Sequence, residues 1–378
     1  MPGEIRYNGY GFPMASGNHS LYHPVAMDEG KIAAMAYDRY GELYPELFRK
    51  FSDYQRSQTS ENFRYHVRYL RESLAVDDPA IFLDYVSWAQ VVLTSYYLPV
   101  ETLATSLVAF NEIVLKDLPE EEGLRARAYI AQARALLASP PQEIPSFIRE
   151  DNPLAAQARA YLAALFATDR EKARVIIMEQ LNKNVPIRDL YRYIFQPALL
   201  ETGRLWQTRQ ASVAQEHYIS GTTEQFITLL YYHVMQESRN QKRNGRSLVA
   251  TCVSDELHDI GIRMVADFFE MDGWDTLYIG ANVPAASIVA MIRDRHADAI
   301  AISSTMPYHL PHVYELIQAI RADPMTAGTC IVIGGYPFNL MPDLWKRIGA
   351  DTGALSADEA VEKVNRLISP CDDPAGLP

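Results

Sequence analysis

The chain has 378 residues, of which 48% are apolar and 22% charged, and a formal net charge of −12. That length exceeds one ordinary hydrophobic core, so two or three domains are expected. An acidic surface without a long Lys/Arg-rich run disfavours a direct grip on nucleic acid. The longest apolar stretches, Tyr85–Leu93 and Ala299–Ile302, fall far short of the roughly 18–20 residues that span a bilayer, so no membrane partner is expected. Cys252, Cys330 and Cys371 have no paired spacing, which argues against a disulfide framework or a structural zinc site. The opening Met1-Pro2-Gly3-Glu4-Ile5-Arg6 lacks a secretory pattern, and a cytoplasmic location is the expectation.

Residues 1–27, rich in Gly, Tyr, Asn and Pro without periodicity, predict an extended arm. Residues 28–145 predict an all-helical domain. Phe63, His66, Val67, Leu70 and Leu74 recur at three- and four-residue spacing on one face. Asp77-Asp78-Pro79 then opens a helix through Leu93, and Pro99-Val100-Glu101 opens another carrying Leu103, Leu107, Phe110 and Val114. The many tyrosines here are expected to serve core and interface packing. After the proline-rich break Ser139–Pro145, four helices follow at Pro153–Phe166, Asp169–Asn182, Pro186–Trp206 and Ser212–Ser238. Their short connections predict an antiparallel four-helix bundle over 146–244, with a kink at Pro197.

Beyond Gly245 the period changes. Apolar strands at Ser247–Val253, Thr276–Ile279, Ala299–Ile302 and Cys330–Ile333 alternate with helices at 259–271, 285–295 and 310–322. This predicts a flavodoxin-like (Rossmann-type) parallel sheet over 245–370, covered on both faces, followed by a tail at 371–378. Ligands bind such sheets at the carboxyl ends of the strands, where Glu256–Gly261, Gly280, Ser303–Thr305 and Gly334-Gly335 collect. Within the first group, His258 is flanked by carboxylates at Glu256 and Asp259. Either could accept one ring N–H, the partner that a metal-bound imidazole usually has. Gly261 would let a bulky group approach the backbone.

Glu256-x-His258-x-x-Gly261, then Ser303-x-Thr305 after 41 intervening residues, then Gly334-Gly335 after 28 more, resembles the cobalamin-binding fold of methionine synthases, mutases and light-sensing regulators. The resemblance implies that His258 displaces the cofactor's dimethylbenzimidazole and becomes the lower cobalt ligand, oriented by Glu256. It also implies that the displaced nucleotide tail threads past Ser303, Thr305 and the diglycine.

In the bundle, Trp206 followed after nine residues by Glu216-His217 resembles the upper-face cap of light-sensing cobalamin repressors, where these residues pack around the adenosyl group. Two departures stand out. Gln207 occupies the position of the histidine that takes the upper cobalt face after light in those repressors, and no helix-turn-helix precedes the bundle. The helical domain in its place is similar to that of photocobilins, which also bind a bilin. Residues 1–150 contain no cysteine, so biliverdin would be held non-covalently, with His19, His23, Arg64 and Arg68 as candidate contacts.

These resemblances imply a non-enzymatic light sensor with adenosylcobalamin as chromophore and biliverdin as a second one. Loss of the adenosyl group in light would switch a homo-oligomer or the interface to a partner signalling protein. The alternatives are a corrinoid carrier protein of a methyltransferase system and an adaptor that senses cobalamin by binding alone.

Overall fold

The structure, a computed structural model, describes residues 21–241 and 243–368; the expectations for most of the arm, His19, Cys371 and the tail lie outside the described residues. Two compact units are present, one spanning His23–Thr228 and the other running from Leu229 onward and including Tyr22. No helix among the described residues is long and apolar enough to cross a membrane.

The first unit is helical. Its opening part comprises α1 (Glu29–Leu43), α2 (Pro45–Arg49), α3 (Asp53–Ala75), α4 (Ala80–Ser95), α5 (Glu101–Asp117) and α6 (Glu120–Leu136). Local chemistry sets the starts. Asp28 accepts the Lys31 N–H, and Ser52 with Gln55 forms a reciprocal capping box. The faces expected on α3 and α5 are the buried ones: Phe63, Val67, Leu70, Leu107, Phe110 and Val114 are all 0% exposed.

The tyrosines of these helices largely fill the core, as Tyr40, Tyr69, Tyr85 and Tyr129 are buried. Tyr69 and Tyr85 stack with centroids 4.3 Å apart. Arg64 and Arg68 both engage Glu29, at 3.6 and 2.9 Å, so their charge is already matched within the protein. The His23 side chain is exposed, and its backbone N–H donates to the Ala75 carbonyl.

The four following helices are α7 (Ala155–Phe166), α8 (Arg170–Asn182), a composite helix of α9 (Ile187–Leu190) and α10 (Gln196–Gln207), and α11 (Val213–Asn240). Asp169 caps α8, and Ser212 with Gln215 caps α11. Between α9 and α10 the chain makes a π-turn, Tyr191–Phe195, where the Gln196 N–H reaches the Tyr191 carbonyl. The disruption expected at Pro197 takes this form. Pro197 has no N–H for the Tyr193 carbonyl one turn back, and the Asn152 side-chain amide donates to that carbonyl instead, at 2.8 Å. The first helices and these helices share one unit: the Phe147 N–H donates to Glu201, and Trp88 of α4 packs on Trp206 of α10.

In the second unit, β1 (Ser247–Cys252), β2 (Asp275–Gly280), β3 (Ala299–Ser303), β4 (Cys330–Gly334) and β5 (Thr352–Gly353) form one parallel sheet in the order β2-β1-β3-β4-β5. The fold class expected from the sequence is the one observed. The first four strands and helices α12 (Ile260–Met271), α13 (Ala285–Arg295) and α14 (Leu310–Ala322) match the periodicity to within a residue or two. β5 was not anticipated, nor were α15 (Tyr336–Leu340) and α16 (Leu344–Ile348), because each is too short to display a period. α17 (Ala357–Ile368) packs with α12, and α13 packs with α14. β1 lies between β2 and β3, so the strand order reverses there, and β1 and β3 run in register up to Cys252 opposite Ser303. The loops that leave these two strand ends therefore emerge side by side, where a doubly wound sheet binds ligands.

His66 gives the helical unit a measurable acid sensitivity. Its Nδ1 is 2.9 Å from the Tyr85 hydroxyl and its Nε2 3.0 Å from Ser106 Oγ, whose own proton goes to the Leu103 carbonyl. The ring is thus neutral, protonated on Nε2 and accepting on Nδ1. Burial pushes its pKa down from 6.5 to about 3. The unfolded chain takes up a proton below about 6.5 while the folded chain does not, so stability is full above that value and falls as the pH drops towards 3. We expect His66 to remove about 2 kcal/mol of unfolding free energy between pH 7 and pH 5. Urea titrations followed by circular dichroism should show that loss shrinking in His66→Leu, whose stability at pH 7 is itself lower.

Candidate functional site

The chain leaves β1 through Val253-Ser254-Asp255 and turns sharply, with Asp255 in the left-handed region at φ 63°. Asn282, just after β2, pins this turn: its side-chain oxygen accepts the Asp255 N–H, and its own N–H donates to the Glu256 carbonyl. The turn directs the Glu256 side chain inward, where it is fully buried.

A buried carboxylate is costly unless its lone pairs are filled. Here they are. Oε1 accepts the backbone N–H groups of Leu257 and His258, each at 3.0 Å, and the His258 ring Nδ1–H at 2.6 Å. Oε2 accepts the N–H groups of Thr305 at 2.7 Å and Met306 at 3.0 Å, and the His309 ring Nδ1–H at 3.1 Å. Burial pushes the Glu256 carboxyl up, but the hydrogen bonds from His258, His309 and the backbone outweigh it, holding the group well below the usual carboxylate range. Glu256 is therefore an anion. An anionic carboxylate only accepts, so Nδ1 of His258 carries the proton and Nε2 is its basic nitrogen. The His258 side chain is 60% exposed while its anchor is 0% exposed.

Of the two carboxylates flanking His258 in the sequence, Glu256 makes the contact. Asp259, at the start of α12, instead accepts from the Tyr278 hydroxyl at 2.6 Å. Thr305 joins the cluster through its backbone, and Ser303 ends β3 opposite Cys252. Gly261 sits in the first turn of α12 with open space where a Cβ would be. The diglycine differs. A Cβ on Gly334 would lie 3.0 Å from the Ala354 carbonyl oxygen. At Gly335, φ is 108°, and a Cβ would fall 2.0 Å from the Ser304 carbonyl oxygen. Gly335 is thus already required by the packing of the loop after β4 against the loop after β3, before any nucleotide tail is considered.

Sequence reasoning missed His309. It follows the Pro307–His309 turn into α14, 53 residues from Glu256, and is buried against Tyr308 at 4.7 Å between centroids. Its signal was a histidine in the polar loop at the end of β3, which nothing in the spacing set apart.

In the helical unit, the residues of the second motif lie apart from one another. Trp206, near the end of α10, is half-buried, its ring 6.1 Å from that of Trp88. Glu216 and His217, in the first turn of α11, pair with each other at 3.2 Å, and Glu216 also accepts from Ser220 at 2.7 Å. The His217 side chain is 76% exposed.

Comparison with known families places two matches on the chain, each described as a B12 binding domain, at residues 246–365 and 157–231. Dimethylamine corrinoid protein 1 of Methanosarcina acetivorans is 30% identical over 123 residues, which are 32% of this chain and 56% of that relative. Dimethylamine corrinoid protein 3 of Methanosarcina mazei is 29% identical over 123 residues, covering 32% of this chain and 72% of the relative. The chain thus spans little more than half of the first of these relatives. The solved structure of the Methanosarcina barkeri monomethylamine corrinoid protein shares the fold at a TM-score of 0.50 and 15% identity, across 57% of this chain and 99% of that one. The chain carries B12-binding domains and is a cobalamin-binding protein.

The two kinds of glycine in the motif should separate by experiment. Gly335→Ala forces a side chain into a backbone region reserved for glycine and into the Ser304 peptide, and should cost at least ~3 kcal/mol of stability. Gly261→Ala, in a helix with open space, should leave the thermal midpoint unchanged or slightly raised. Equal effects of the two substitutions in thermal unfolding would contradict this division.

Proposed function

We propose that this chain is a corrinoid carrier: it holds cobalamin by His258 and presents it to a partner protein, without catalysing a reaction itself. The observation that carries the reading is the exposed imidazole of His258 fixed through Nδ1 to the buried anion of Glu256. A corrin leaves its metal short of axial ligands, so it needs one basic nitrogen from the protein, and this donor arrangement fits that need. Once bound, the cofactor supplies a cobalt–carbon bond able to carry a small alkyl group or to be split by visible light.

The chain's own residues do the rest. Glu256 fixes the tautomer, restricts the ring's rotation and, as an anion, raises the donor strength of Nε2. Gly261 leaves room beside the ligand, and Ser303, Thr305 and Gly334 line the route proposed for the displaced nucleotide. The named similarity to dimethylamine corrinoid proteins, on the B12-binding region, supports methyl-group carriage, with the chemistry left to the partner.

One observation favours a second reading, that of a light sensor using adenosylcobalamin. The Trp206, Glu216 and His217 signature is kept, with the Glu-His pair formed and Trp206 backed by Trp88. In this reading those three residues recognise the adenosyl group, light changes the oligomer or the partner interface, and the first helices are where non-covalent biliverdin would bind.

Purified protein mixed with methylcobalamin, adenosylcobalamin and hydroxocobalamin, in darkness and under green light, tests both. Wild type should give the visible spectrum of an imidazole-ligated corrin, and His258→Ala should not; identical spectra would remove His258 as the ligand. A carrier keeps its oligomeric state under light with every form. A light-dependent shift in size-exclusion elution with adenosylcobalamin alone, together with loss of adenosyl preference in Trp206→Ala, would replace the first reading by the second.

A further inference from the structure

The two oxygens of Glu256 are held from two different loops. Oε1 is held entirely by the loop after β1, through Leu257 and His258. Oε2 is held by the loop after β3, through two backbone N–H groups and one side chain, His309. We propose that His309 is a second positioning residue for the cobalt ligand, acting through Glu256; this rests on the reading of His258 as that ligand.

A carboxylate can turn about its last carbon–carbon bond, and whatever holds one oxygen fixes the direction of the other. Thr305 and Met306 are neighbours in one loop and move together. His309 stands at the start of α14, beyond the Pro307–His309 turn, and is buried at 7% exposure. Its Nδ1–H therefore ties the carboxylate to a helix as well as to a loop. Without it, the loop between β3 and α14 loses its side-chain anchor, and the 2.6 Å contact between Oε1 and His258 Nδ1 loses part of its alignment. Outer partners of a metal-bound histidine are worth 10–100-fold in affinity. A partner one hydrogen bond further out should act at the lower end, about tenfold.

The test uses the full-length protein and hydroxocobalamin. Three variants are compared with wild type: His309→Leu and His309→Met, which cannot donate, and His309→Asn, whose side-chain N–H sits near the position of Nδ1. The apolar variants should lower the fraction of bound corrin showing imidazole ligation, with the ligation constant reduced about tenfold, and His309→Asn should restore most of it. A residue that merely fills space would be replaced better by leucine or methionine than by asparagine, so the opposite ranking overturns the proposal. If wild type itself shows no imidazole ligation, the His258 reading fails. If wild type shows it and the apolar variants match wild type, His309 fails alone.

Should neither apolar variant fold, ¹⁵N NMR of the unmodified protein decides. The protonated Nδ1 signal of His309 should shift when hydroxocobalamin is added, and an unmoved signal would refute the link.

Discussion

One buried carboxylate organises the ligand end of the sheet. Burying Glu256 would cost several kcal/mol if it stood alone. Six N–H groups from two loops meet it, and four of them are backbone groups that would otherwise need partners of their own. The strand order makes this possible. β1 and β3 are neighbours, in register to their last residues, so the loops that follow them share one small volume. The arrangement extends one loop further. Gly335 presses against the Ser304 peptide and Gly334 accepts the Ser304 N–H at 3.1 Å, which steadies the peptide just before the two N–H groups on Oε2. A glycine after β4 thus bears on the aim of an imidazole after β1.

Much of this was legible in the sequence. The helices and four of the five strands follow from period, capping residues and proline placement, because each is long enough to repeat. Glu256 and His258 stood out because a histidine between carboxylates at a strand end has few structural reasons to be there. The choice between Glu256 and Asp259 was not legible. It depends on the left-handed turn at Asp255, which buries one carboxylate and leaves the other for Tyr278. His309 was invisible for a related reason: its partner lies 53 residues away, and only the folded sheet brings the two together. The diglycine was read as room for a ligand, yet part of the demand for small size comes from the chain's own backbone.

The tyrosine-rich helices show how composition alone can mislead about ligands. A flat conjugated guest and a packed core both favour aromatic rings, and here Tyr40, Tyr69, Tyr85 and Tyr129 belong to the core. The cations offered for propionates are matched by Glu29. These helices lie outside both B12-binding matches, which begin at residue 157.

The π-turn at Tyr191–Phe195 carries a consequence for helical phase. Each residue advances an α-helix by about 100° around its axis, and a π-turn accommodates one residue more than an α-turn. Residues after Phe195 therefore face the directions they would have in a regular helix one residue shorter. A uniform 3.6-residue wheel drawn from Ile187 misplaces Trp206 by roughly that angle, away from Trp88. Loss of one residue inside the π-turn would leave the later side chains on their present faces. Loss of one residue from the regular turns of α10 would swing the tryptophan to another side. The extra residue acts as a phase reserve, and the length of this helix is free to vary at that point and constrained after it.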